Sequence, residues 1–137
     1  MLKNLLSPKL IDIKINISLL ILRVISGLVM IPHGFNKLTH FAEKSGDFMS
    51  FLGLGSELSF ALLVAAEFFC SILLVIGLFS RFALIPMVIA MFVAAFKAHH
   101  GDVFGDGETS FLYMACYLTL LIAGPCKYSL DNLLFKK

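Results

Sequence analysis

Residues 18–37 read SLLILRVISGLVMIPHGFNK, which matches the roughly 20 apolar residues that one helix needs to cross a bilayer. Arg23 lies inside this run, where a charge at a helix centre costs about 2.5–3.5 kcal/mol on insertion scales. Arg23 therefore needs a partner or a route to water. Positions at spacings of four, three, four and three share one helix face: Arg23, Gly27, Met30, Gly34 and Lys37. Because this face is small and charged, we expect it to point into a helical bundle.

The composition places the chain among integral membrane proteins. Of its 137 residues, 59% are hydrophobic and 15% are charged, against the roughly 25% charged residues of soluble domains. The length leaves room for four spanning helices and no second domain, so we predict an all-α, integral membrane four-helix bundle. The net charge of +2, without a basic run, argues against a nucleic-acid partner and leaves the lipid bilayer as the expected environment.

Four apolar segments are predicted to span the membrane, at residues 18–37, 58–79, 82–98 and 109–124. Residues 1–17 mix lysines with leucines and isoleucines and are predicted to form an interfacial segment. Residues 132–137 form a basic tail after a single domain over residues 18–131. Lys and Arg number eight on the side that holds both termini and three on the other side. The positive-inside rule then places both termini in the cytoplasm.

A second buried charge is predicted near the middle of the second span. Glu67 should face the bundle interior and be paired or protonated. From the rise per residue, the heights of Arg23 and Glu67 in the membrane are expected to differ by less than ~10 Å. We therefore predict an ion pair between Arg23 and Glu67.

A polar cluster is expected at the outer end of the bundle. Its members come from the first span, the end of the third span and the loop that follows: His33, Lys37, His99, His100, Asp102, Asp106 and Glu108. Such groups could hold an anion, form a proton path or ligate a metal, or they could be a solvated helix end. The spacing matches no helical metal motif, so no metal site is assigned.

The polar connection between the first two spans, residues 38–57, contains several phenylalanines. It reads either as an ordinary interfacial linker or as a lid over the mouth of the bundle. The three cysteines, Cys70, Cys116 and Cys126, show no CxxC spacing and are read as packing residues.

Together these motifs resemble the DoxX family of small bacterial membrane proteins. The resemblance covers roughly residues 18–131 and includes R-x-x-x-G followed by HGFNKL, an inward glutamate followed by GLFSR, a histidine and a glutamate around the third loop, and GPCKYSLD. The positions that match the family pattern are Arg23, Gly27, His33, Gly34, Lys37, Glu67, Gly77, Arg81, Glu108, Gly124, Pro125 and Asp131.

The resemblance implies a multi-pass protein of the bacterial inner membrane. Members of the family are linked to thiosulfate:quinone oxidoreduction and to membrane redox complexes. On this basis we expect an oxidoreductase component that acts with quinone or a small sulfur compound, beside a redox partner subunit or as a homo-oligomer. Glu67 and His33 are the expected proton carriers, and the expected binding residues are Arg23, Lys37, His99, His100 and Glu108.

Two other functions stay open. In the first, the chain is a structural or docking subunit in which the buried charges fix the helix register. In the second, an oligomer of the chain transports a small solute or protons through its polar interior. The chain carries no nucleotide or flavin fingerprint, so electron chemistry would need quinone or a partner subunit.

Overall fold

The computed structural model describes residues 11–135, and all regular structure within that range is helical. Parts of the predicted N-terminal segment and basic tail, residues 1–10 and 136–137, lie outside the described residues. The helices are α1 (Ile11–Thr39), α2 (Phe41–Lys44), α3 (Ser56–Ile76), α4 (Ser80–Ala98), α5 (Glu108–Ala123) and α6 (Leu130–Phe135). One turn in each of α3 and α4, Ala65–Phe69 and Ala94–Ala98, is π-helical.

Three of these helices, α1, α3 and α4, are long and apolar enough to cross a membrane. They correspond to the first three predicted spans. The fourth, α5, is apolar but has 16 residues, which at 1.5 Å per residue is about 24 Å, less than the roughly 30 Å of hydrocarbon in a bilayer. The chain is therefore a helical membrane protein with at least three candidate spans among its described residues.

The boundaries of two spans differ from the prediction. Helix α1 is already formed at Ile11, seven residues before the predicted start, and it continues through Pro32 to Thr39. Helix α3 ends at Ile76, because Gly77 adopts the left-handed conformation with φ of 74° and the N–H groups of Gly77 and Leu78 bond back to the last turn. The predicted end at residue 79 was therefore three residues too late.

The helices pack as neighbours around a common core. Helix α1 packs along α3, α3 packs on α4, α4 packs on α5, and α5 returns to α1. The Tyr117 hydroxyl on α5 is fully buried and donates to the Ser26 carbonyl on α1 at 3.3 Å. The buried core residues are Met30, Leu74, Leu84, Met87, Met91, Tyr117 and Leu120.

This arrangement gives the molecule two distinct ends. At one end, which we call the cavity end, α1 and α4 finish and α3 and α5 begin. At the other, which we call the tail end, the α3–α4 turn meets the segment that follows α5. The two ends hold different sets of the polar residues singled out in the sequence.

Candidate functional site

The cavity end contains a cavity of about 550 Å³, which is within the usual size range of small-molecule sites. Residues of α1, α3, α4 and α5 form its sides. Phe48, Met49 and Phe51, from the connection between α2 and α3, also line it. We call residues 45–55 the lid, since this segment lies against the mouth of the bundle. The hypothesis of a lid describes this geometry better than that of an ordinary interfacial linker.

An ion pair between Lys37 and Glu67 forms part of the cavity wall. The Glu67 side chain is 6% exposed and the Lys37 side chain is 29% exposed, so the carboxylate depends on the ammonium for most of its charge stabilisation. Glu67 lies in the π-helical turn Ala65–Phe69, an irregularity that is often found at functional sites.

The position of this pair follows from the close contact of α1 with α3. A Cβ at Gly34 would lie 2.5 Å from the Phe68 nitrogen and 2.6 Å from the Glu67 carbonyl carbon. Only glycine lets the two backbones approach this closely. Lys37 is one helical turn after Gly34 on the same face of α1, which places its ammonium over the Glu67 carboxylate.

Few other polar side chains line the cavity, and the rest of its wall is apolar. The additional polar and thiol-bearing residues are His33, Ser59, Cys70, His99, Thr109, Ser110 and Tyr113. An apolar cavity with a few converging polar groups suits a small ligand that has a polar head and an apolar body.

Four of the seven predicted site residues line this cavity: His33, Lys37, Glu67 and His99. His100 and Glu108 belong to the same end of the molecule but are exposed and do not line it. Among the described residues, no three His, Cys, Asp or Glu side chains are grouped closely enough to hold a metal ion.

The predicted pair between Arg23 and Glu67 is wrong. Arg23 is 4% exposed, and its guanidinium donates to the Cys126 sulfur at 3.2 Å and to the Tyr128 carbonyl at 2.7 Å. Gly34 marks the level of Glu67, and Arg23 precedes Gly34 by 11 residues, or about 16 Å of helix. Arg23 therefore lies at the tail end, level with Gly77, beyond the reach of the carboxylate.

Several motif residues at the tail end hold the C-terminal segment to the α3–α4 turn. The Asp131 carboxylate accepts from the backbone N–H groups of Phe79 and Ser80, at 2.6 and 2.8 Å, and so caps the start of α4. The Asp131 N–H donates in turn to the Gly77 carbonyl at 2.9 Å. The contacts of Arg23 and Asp131 thus fix the segment that follows α5 to α1 and to the α3–α4 turn.

Sequence reasoning missed Cys70 and Tyr113 as cavity residues. Cys70 follows Glu67 by three positions on α3 and so shares its face, a signal that was available. Tyr113 follows Thr109 by four positions on α5 and so shares its face. Nothing in the sequence indicates that this face lines a cavity. The lid was one of two hypotheses for residues 38–57, and periodicity could not decide between them because it does not predict how a loop folds back.

Comparison with known proteins gives a family match. A family model described as DoxX matches residues 18–100. An uncharacterized protein of Haemophilus influenzae is 33% identical over 125 residues, a match that covers 85% of this chain and 90% of the relative. No solved structure matches the chain significantly.

Proposed function

The chain belongs to the DoxX family, and from this premise we propose that it is a component of a membrane redox system whose cavity binds a quinone. It acts in the bacterial inner membrane, beside a redox partner subunit or a second copy of itself. The observation that carries the proposal is the ion pair between Lys37 and Glu67 in the wall of an otherwise apolar cavity.

The residues of the cavity suit the chemistry of a quinone. Its ring and tail are apolar and match the wall, while its two carbonyl oxygens need donors. The Lys37 ammonium supplies a charge-assisted donor, and His33 and His99 supply imidazole nitrogens on either side of the cavity. A bound quinone would supply two-electron redox chemistry, and Glu67, with His33, would carry protons at the site.

The proposal includes a four-span arrangement with both termini in the cytoplasm. Helix α5 is the fourth span, and its short length is accommodated by local thinning of the bilayer or by its apolar neighbours. The positive-inside rule supports this orientation, since most of the Lys and Arg residues fall on the side of the termini. The cavity end then faces outward.

A binding titration tests the proposal. We expect a short-tailed ubiquinone analogue to bind the purified protein in nanodiscs saturably, and Glu67→Gln and Lys37→Met to weaken binding about 10- to 100-fold, the value of one hydrogen bond to a charged group. Glu57→Gln and Lys44→Met make the same exchanges at exposed positions outside the cavity and should bind like the wild type.

Two results would count against the quinone site. One is a wild-type protein that shows no saturable binding. The other is a Glu67→Gln variant that is lost from the membrane while Glu57→Gln accumulates normally, which would favour the structural or docking role.

A further inference from the structure

Two exposed residues of the cavity wall, one on α3 and one on α4, indicate an opening on the side of the bundle. Leu62 of α3 and Ile89 of α4 both line the cavity, and their exposed fractions are 49% and 45%. Leu63 and Val93 continue the same two walls inward. We call the space between these four residues the cleft. Since it is bounded by the apolar surfaces of two span-length helices, the cleft faces hydrocarbon.

The cleft exists because α3 and α4 diverge toward the cavity end. Helix α4 contacts α3 through Ala65–Ile76, whereas the first part of α3, Ser56–Val64, packs on α1 and α2. The last turn of α4, Ala94–Ala98, remains packed on α5, as the rest of that helix is. The contact between α3 and α4 thus falls off close to the π-helical turn of each helix, where the helix geometry is irregular.

The lid covers part of the cavity at the end where α1 finishes and α3 begins. The Phe51 N–H donates to the buried Ser59 hydroxyl at 2.8 Å, which fixes the lid to the start of α3. The Lys97 ammonium lies 5.7 Å from the centre of the Phe51 ring, a cation–π contact from the end of α4. The Phe48 ring contacts the Phe60 ring at a centroid distance of 5.3 Å.

We propose that the ligand of this cavity is dissolved in the bilayer and enters through the cleft, with its polar head reaching Lys37 and Glu67 and its apolar tail remaining between α3 and α4. This inference rests on the proposed function insofar as the cavity binds a ligand. It excludes a small water-borne sulfur anion, which would have to pass the lid, and selects an amphipathic molecule with a head smaller than the 550 Å³ cavity.

The native Cys70 thiol allows a test that needs no ligand, because Cys70 lines the cavity behind the cleft. The protein is reconstituted in nanodiscs, which leave both faces open to water. It is then treated with membrane-soluble N-ethylmaleimide or with a charged, membrane-impermeant maleimide. Labelling of Cys70 is followed by peptide mass spectrometry. We expect N-ethylmaleimide to label Cys70 and the charged reagent to spare it.

Substitutions on the two walls of the cleft test whether N-ethylmaleimide reaches Cys70 through the cleft. Leu62→Trp and Ile89→Trp narrow the cleft from opposite helices, and both should slow labelling of Cys70 severalfold. Ile122→Trp, at a position 81% exposed on α5 and outside the cavity, makes the same exchange and should label at the wild-type rate. The melting temperature of each variant identifies any that are misfolded.

Bilayer entry would be overturned if the charged reagent labels Cys70 as fast as N-ethylmaleimide does. It would also be overturned if N-ethylmaleimide labels Cys70 at the wild-type rate in both Leu62→Trp and Ile89→Trp. Neither outcome depends on which ligand binds. If the quinone titration fails while Cys70 shows the expected pattern, the access route stands and the quinone assignment falls.

Discussion

Lys37 and Glu67 are unequal partners in their ion pair. The Glu67 side chain is almost fully buried, while the Lys37 side chain is 29% exposed. Removing the cation alone would leave a buried charge with no counter-charge, which is costlier than removing both. Burying charged groups inside a membrane protein is itself costly. We therefore explain the presence of this ion pair by function and not by stability.

This asymmetry predicts the effects of single and double substitutions. Lys37→Met should destabilise the protein by about 1–3 kcal/mol, less than the roughly 3–5 kcal/mol of a fully buried pair because Lys37 is partly exposed. Adding Glu67→Gln should recover part of that loss, since no unpaired charge remains. Thermal unfolding in detergent measures both effects. Lys44→Met, on the exposed face of α2, should change the stability by less than about 0.5 kcal/mol.

A double variant that is no more stable than Lys37→Met alone would contradict this interpretation of the pair.

At the scale of the helices, two glycines of α1 set its distance from α3. Gly34 faces the backbone of Glu67 and Phe68, and Gly27, seven residues earlier, faces Ser71 and Val75. The close approach holds the π-helical turn against α1 and brings Glu67 under Lys37. The geometry of the candidate site is therefore a consequence of helix packing as much as of the charged residues themselves.

Gly34→Ala tests this packing. The added Cβ would lie within 2.8 Å of backbone atoms of Glu67, which cannot move aside like a flexible side chain. We expect a loss of about 1–3 kcal/mol from overpacking and a separation of Lys37 from Glu67. The matched control is Gly46→Ala in the lid, where a Cβ has no neighbour within 4 Å. Equal melting temperatures for the two variants would contradict the role given to Gly34.

At the scale of the whole molecule, the sequence predicted the membrane class, three long spans and four of the cavity residues. Hydropathy and helical spacing carry that information. The predicted partner of Arg23 is wrong because the estimate of depth assumed that the first two spans are aligned at their ends, whereas Glu67 lies level with Gly34, about 16 Å of helix beyond Arg23. The cavity was not predicted, since it depends on where α3 and α4 separate, which has no periodic signal; the lid was one of two interpretations of residues 38–57, and the sequence did not decide between them.

The four-span arrangement predicts where reporters on the chain will be found. A green fluorescent protein fused after Lys137 should fluoresce, because the proposed topology places the C-terminus in the cytoplasm. Alkaline phosphatase inserted at Gly105, in the loop before α5, should be active on the outer side. If both reporters fall on one side of the membrane, α5 does not cross it and the proposed topology is wrong.

The central claim is that the cavity at Lys37 and Glu67 holds a small redox molecule, and native mass spectrometry of the protein extracted gently from its own membranes tests it most directly. We predict a wild-type complex heavier than the chain by the mass of a quinone, with that added mass lost in Lys37→Met and kept in Lys44→Met. A bare wild-type chain, or equal retention of the small molecule in both variants, would contradict it.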